Sequence, residues 1–187
     1  MSTTARWTSA DLETMPEDGT RYEIIDGDLF VSKTPHAEHQ WTSDQILVAL
    51  ANWSSATDGG VALSTPGLIF SPDNDVVPDI IWIRSERLAQ ALDEAGHFRV
   101  APDLVVEILS PGPVNERRDR ELKLNLYSRQ GVHEYWIADW RHRTLQVFRR
   151  EQAALQLAVT LEGEDVLTSP LLPGFQCSAS QFWGFPA

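Results

Sequence analysis

The chain has 187 residues, of which 42% are hydrophobic and 22% charged, and this fits a single soluble domain over residues 1–187. A formal net charge of −12 argues against a non-specific nucleic-acid coat, which needs positive surface to displace counterions, but not against a nuclease with local basic groups. One cysteine, Cys177, excludes an internal disulfide and a cysteine-based zinc cluster.

No apolar run has the length of a membrane span, and MSTTARWTSADLETMPEDG lacks an apolar signal core, so the cytoplasm is the expected compartment. Thr8 to Pro16 reads as a short helix with Thr8 as N-cap and Asp11 in the first turn. Arg21 to Lys33 reads as a hairpin turning at Asp26-Gly27, a pair suited to the positive φ of a tight turn. Glu23 lies in its first strand, and its spacing slightly favours a solvent-facing residue or a partner for Arg21 over a site carboxylate.

Pro35 to about Trp53 reads as a helix whose apolar face runs through Trp41, Ile46, Leu47, Val48 and Leu50. His36 and His39 fall in its first turn, where capping or surface hydrogen bonding is the ordinary role. His39 could also meet a phosphate there, because helix N-termini attract anions. Val61 to Phe70 and Val76 to Ile83 are expected strands around the turn Ser71 to Asp75, and a short helix starts at Ser85.

Ala101 to Leu109 is the expected central strand, with Asp103, Val105, Glu107 and Leu109 on one face. Val114 to Arg129 reads as one helix, ended near Gly131. His133 to Asp139, Thr144 to Arg149 and Leu155 to Leu161 read as strands, and the tail as a final strand with a short terminal helix or turn. A helix between core strands followed by a hairpin predicts a mixed α/β domain of α+β type.

The candidate chemistry starts at Glu107. It is a carboxylate inside an apolar run, and a buried carboxylate needs a strong partner such as a metal ion. Asp79 is the matching lone acid in VVPDIIWI. Neighbouring strands lie about 4.8 Å apart, so the two acids could share one hard cation, Mg²⁺ or Mn²⁺. Such an ion polarises a phosphate and acidifies a bound water. Asp103 is four residues from Glu107, or about 13 Å at about 3.3 Å per residue, which points to a structural or supporting role.

Lys123 stands out by usage: thirteen arginines accompany only Lys33 and Lys123. A compact amine could orient a water or offset transition-state charge. An Asp119–Lys123 helix pair worth about 0.3–0.5 kcal/mol explains the residue equally well. The clusters Arg117, Arg118, Arg120 with Lys123, and Arg141, Arg143, Arg149 with Arg150, read as solvated surface. Ser110 is not in a nucleophile elbow, and Tyr127, Tyr135 and Trp136 read as core.

Taken in order, YEIIDGDL, VVPDIIWI, PDLVVEILSP, DRELK, LY and GVHEYWIAD resemble the Uma-two restriction-endonuclease family, from about Trp7 to the LLPGF tail. The resemblance implies a restriction-endonuclease-like core of PD-(D/E)XK type, with an N-terminal hairpin and flanking helices. It implies Asp79 as a metal-binding aspartate and Glu107 as the acid of the D/E-x-K element. Leu109 stands where the older pattern places lysine, and Lys123 from the following helix would take its place. Glu23 and His39 match further recurrent positions.

Residues and resemblance together predict a metal-dependent endonuclease acting on DNA, with Asp79, Glu107 and Lys123 catalytic and Mg²⁺ (or Mn²⁺) as cofactor. The alternative is a nuclease-fold module that binds nucleic acid or a protein partner without cutting. Seven tryptophans also permit a homodimer surface.

Overall fold

The computed structural model describes residues 6–186. Residues 1–5 and 187, and so both ends of the expected 1–187 domain, lie outside them. A one-turn helix α1 (Ser9–Leu12) is held by a capping box between Thr8 and Asp11. The hairpin β1 (Arg21–Ile25) and β2 (Asp28–Ser32) turns at Asp26 (φ 51°) and Gly27 (φ 80°), as the sequence predicts.

Helix α2 (Ala37–Thr57) runs four residues past its expected end and stops at Asp58 in left-handed conformation. Its buried stripe is His39, Thr42, Ser43, Ile46, Leu50 and Ser54, while Val48 is exposed. The expected apolar face was too broad because four of the six packed residues, His39, Thr42, Ser43 and Ser54, are small or polar.

The two long strands expected next are each split. Strand β3 (Gly60–Ser64) ends before Thr65-Pro66-Gly67, where Thr65 has φ 48°, and β4 (Leu68–Ser71) begins a different sheet. Strand β5 (Asn74–Val76) ends before Pro78, which cannot donate a ladder hydrogen bond, and β6 (Ile80–Arg84) enters the main sheet. Asp79 therefore sits at the crossing between two sheets instead of inside a strand.

Helix α3 (Ser85–Ala91) leads by a loop to β7 (Leu104–Ile108), whose residues are all buried. The expected single helix after it is three pieces: α4 (Pro113–Arg117), a π-helical turn over Arg118–Lys123, and α5 (Leu124–Gln130), capped by Gly131 at φ 91°. Then follow β8 (Glu134–Asp139), β9 (Thr144–Glu151) and β10 (Ala154–Glu162). The tail is a hairpin, β11 (Val166–Ser169) with β12 (Leu172–Ser178), before a 3₁₀ turn at Ala179–Phe182.

The main sheet has the order β10-β9-β8-β7-β6-β3. Its pairs are antiparallel except β7–β8, and that parallel pair is joined by the α4–α5 crossover. The second sheet is β2-β1-β5-β4. Alternation along β7 separates two cores. Leu104, Val106 and Ile108 pack with α2, Trp136 and Phe175, while Val105 and Leu109 pack with Tyr127, Tyr135 and Ile25. Glu107 shares the parity of Val105, so it faces the crossover helix and the N-terminal hairpin. The mixed α/β architecture is the one expected.

Candidate active site

The pairing Ile80↔Val106 places Asp79 and Glu107 one step further along the same antiparallel register. Asp79 Oδ2 accepts the backbone N–H of Ile108 at 2.9 Å, which ties the aspartate to the end of β7. Arg21 Nη1 lies 3.0 Å from Asp79 Oδ1, and His39 Nε2 lies 3.5 Å from Oδ2. Strand β1 and the start of α2 thus both converge on this acid.

Lys123 is fully buried. Its Nζ lies 2.8 Å from Glu107 Oε1 and 2.8 Å from Glu23 Oε1. Tyr127 donates its hydroxyl to Glu107 Oε1 at 2.9 Å, and Val77 donates its backbone N–H to Glu23 Oε1 at 2.9 Å. Arg118, also buried, lies 3.7 Å from Glu23 Oε2 and donates to Asp119 at 2.8 Å and to Ser32 at 2.6 Å.

Several expectations change here. Glu23 is neither solvent-facing nor the partner of Arg21; it is buried against Lys123. The Asp119–Lys123 pair is replaced by Asp119–Arg118 and Lys123–Glu107, because the π-helical turn alters which side chains share a face. Arg118 and Lys123 are interior groups, not solvated surface. His36 behaves as expected, accepting from Glu38 N at 3.3 Å as the α2 N-cap and stacking on Trp140.

Asp103 lies at the other end of β7. It accepts from Arg84 N at 3.1 Å, and Arg87 Nη1 lies 2.8 Å away. These contacts tie it to the start of α3, away from Glu107. Sequence reasoning missed Arg21, Arg118 and the Tyr127 hydroxyl. Tyr127 follows Lys123 by one helical turn, and that spacing was the available signal.

Four carboxylates (Glu23, Asp79, Glu107, Asp119) face three fixed cations (Arg21, Arg118, Lys123). The imbalance settles on Glu107. Burial raises its pKa, Lys123 opposes that, and the charges of Asp79, Asp119 and Glu23 add to it, leaving the carboxyl at about 8. Glu23 shares the same lysine but also has Arg118 and the Val77 N–H. These outweigh its burial and hold it below the usual range. Asp79 is likewise buried, yet His39, Arg21 and the Ile108 N–H hold it well below that range.

A divalent cation suits this donor set in one form. Among the described residues no three His, Cys, Asp or Glu side chains make a ready cage. Both hydrogen bonds to Glu107 use Oε1, so Oε2 has no protein donor among the described residues. Glu23 Oε2 and His39 Nδ1 are buried without hydrogen-bond partners. Asp79 and Glu107, in a cluster with one more acid than fixed cations, fit a hydrated Mg²⁺ or Mn²⁺, which keeps most of its waters. Asp79 would have to share or release Arg21.

A small cleft of about 100 Å³ opens onto Asp79 and is lined also by Arg21, Ser32, His39, Ser110 and Arg118. It adjoins a larger one of about 500 Å³ that shares Ser32, Lys33 and Ser110 and adds His36 and Asn115. Glu107 and Lys123 lie behind the smaller cleft instead of lining it.

The family model described as "Putative restriction endonuclease", Uma2, matches residues 9–180. The chain belongs to the Uma2 family. A solved structure described as "a putative nuclease belonging to DUF820" from Anabaena variabilis ATCC 29413 shares the fold. The TM-score is 0.76 and the identity 20%, covering 94% of this chain and 96% of that one. No curated protein matches the chain. The family's description supports nuclease as the functional class. Among the described residues no helix is long and apolar enough to cross a membrane.

Proposed function

We propose that the chain is a metal-dependent endonuclease hydrolysing DNA phosphodiester bonds, with Asp79 and Glu107 as ligands of Mg²⁺ or Mn²⁺ and Lys123 beside them. The observation that supports this reading is that Asp79, one residue before β6, accepts the Ile108 N–H beside Glu107 at 2.9 Å, with Lys123 Nζ 2.8 Å from Glu107 Oε1. When bound, a divalent cation supplies a polarised phosphate oxygen and an acidified water.

The chain's own residues do the rest. Asp79, fixed by the Ile108 N–H, presents a carboxylate to the cleft. Glu107 is oriented by Lys123 and Tyr127 through one oxygen, which leaves the other for the ion. The Lys123 ammonium offsets negative charge as it gathers on the phosphate. Arg21 and His39, on the cleft wall, are placed to meet phosphate oxygens. We place the enzyme in the cytoplasm, acting as a homodimer.

A second reading is favoured by one observation: both Asp79 oxygens already have protein partners. A module that binds nucleic acid or a protein without cutting would need no metal there. Plasmid relaxation with Mg²⁺ or Mn²⁺, against EDTA, separates the two. Cleavage abolished by Glu107→Ala supports the enzyme. Equal cleavage by that variant, or none by the wild type with either ion, sinks it.

A further inference from the structure

A second cleft, of about 330 Å³, lies between the start of α2, the β8–β9 turn and the C-terminal segment. That volume is within the range of about 300–1,000 Å³ usual for small-ligand sites. Its walls carry four aromatic side chains, Trp41, Trp140, Trp183 and Phe185, with Glu38 and Thr42 contributed by α2. Trp41 and Phe185 meet edge to face with ring centroids 5.9 Å apart. Arg141 and Arg143 supply its cations.

Three features mark this cleft as more than packing. The indole Nε1–H groups of Trp41 and Trp183 are buried with no acceptor, and an unmet buried donor is costly. Arg141 is held by Glu116 at 2.8 Å and Asp139 at 3.3 Å, but Arg143 has no ion-pair partner among the described residues. Arg143 is exposed and has φ 54°, a conformation costly for a long side chain.

Aromatic faces want a flat ring. Unmet donors want acceptors on that ring's edge, and a free guanidinium wants an anion near it. A base carrying a phosphate has all three. We infer that this cleft holds an unpaired base of a nucleic-acid strand, stacked among Trp41, Trp140 and Trp183, with a flanking phosphate on Arg143. The inference rests on the nuclease reading for the identity of the strand.

The two clefts are neighbours. His36 lines the larger cleft beside Asp79 and stacks on Trp140, which lines this one, with centroids 4.9 Å apart and planes 9° apart. That stacked pair is a sill between them. A strand crossing it would place one phosphate toward Asp79 and a neighbouring base in the aromatic cleft. The indole donors are not solvent-exposed, so the ring must part the walls to reach them.

The test uses the full chain in EDTA, so binding is read without cleavage. Fluorescence anisotropy compares a short single strand of thymidine nucleotides with an abasic strand of equal length and charge. The base-bearing strand should bind about tenfold tighter, the usual scale for one well-stacked base. Trp183→Ala should remove most of that preference. Arg143→Asn, which tolerates the same backbone, should weaken both strands alike and lower the salt slope by about 0.7.

Equal affinity for the two strands overturns the inference, as does full preference retained in a folded Trp183→Ala. Should that variant fail to fold, the wild-type comparison and Arg143→Asn decide. Plasmid cleavage is scored separately. Base preference without cleavage keeps this site and sinks the nuclease reading; cleavage without base preference sinks this site alone.

Discussion

Lys123 and Glu107 meet in the protein interior, Nζ to Oε1 at 2.8 Å, from positions 16 residues apart in sequence. The lysine comes from the end of the π-helical turn and the glutamate from the last but one position of the central strand. Both are buried, and Lys123 Nζ lies equally close to Glu23 Oε1, so one ammonium holds two carboxylates.

Lys123→Ala should therefore cost about 3–5 kcal/mol, because it leaves two buried carboxylates facing each other. Urea unfolding measures it. A Glu23→Gln background should lessen the cost, since one of the stranded charges is then absent. A loss below about 1 kcal/mol would show that the lysine is not holding the pair.

The Glu107 carboxyl, pushed up to about 8, predicts a pH effect on the metal-free protein. Its folded value lies above its unfolded one. Its stabilising contribution is complete below about pH 4.5 and is lost as pH rises through about 8. Glu107→Gln removes that dependence. Measured by urea unfolding in EDTA, the variant should gain on the wild type from pH 5 to pH 8. A constant difference would contradict the raised value.

Arg21 competes with any cation for Asp79. Arg21→Gln should strengthen Mn²⁺ binding by about 1 kcal/mol. The folding cost should be small, because this pair is partly open to solvent on the arginine side. Calorimetric titration reads the first and thermal unfolding the second. Unchanged Mn²⁺ affinity would mean that the ion does not use Asp79.

Asp103 gives the contrasting case. Asp103→Ala strands Arg87 and the Arg84 N–H at a fully buried position, at a cost of about 3 kcal/mol. Mn²⁺ affinity should stay within about twofold of the wild type, since Asp103 sits at the far end of β7 from Glu107. A large loss of affinity in a folded variant would bring it into the site.

The sequence made the central strand and its acid legible because the apolar run in PDLVVEILS is continuous and Glu107 alone interrupts it. The Asp26-Gly27 turn was legible because its backbone chemistry is local. Glu23 was not, since its burial depends on a hairpin docking against a helix a hundred residues later. Arg118 looked like surface for the same reason: a run of charges gives no hint of which member turns inward. The strand breaks at Thr65 and Pro78 were signalled by proline, yet the apolar residues around them outweighed that signal. The π-helical turn left no trace in the apolar spacing, so Lys123 and Asp119 were assigned to one helical stripe.

That wider turn has a consequence for any comparison of this segment with an uninterrupted helix. Backbone bonds over Arg118–Lys123 span one residue more than those of α4 and α5, so the two ends run one position out of phase. A single helical wheel drawn from Pro113 to Gln130 misassigns one half or the other. Trimming the extra residue would re-aim the Lys123 ammonium, while Asp79 and Glu107 stand on the sheet side of the pair.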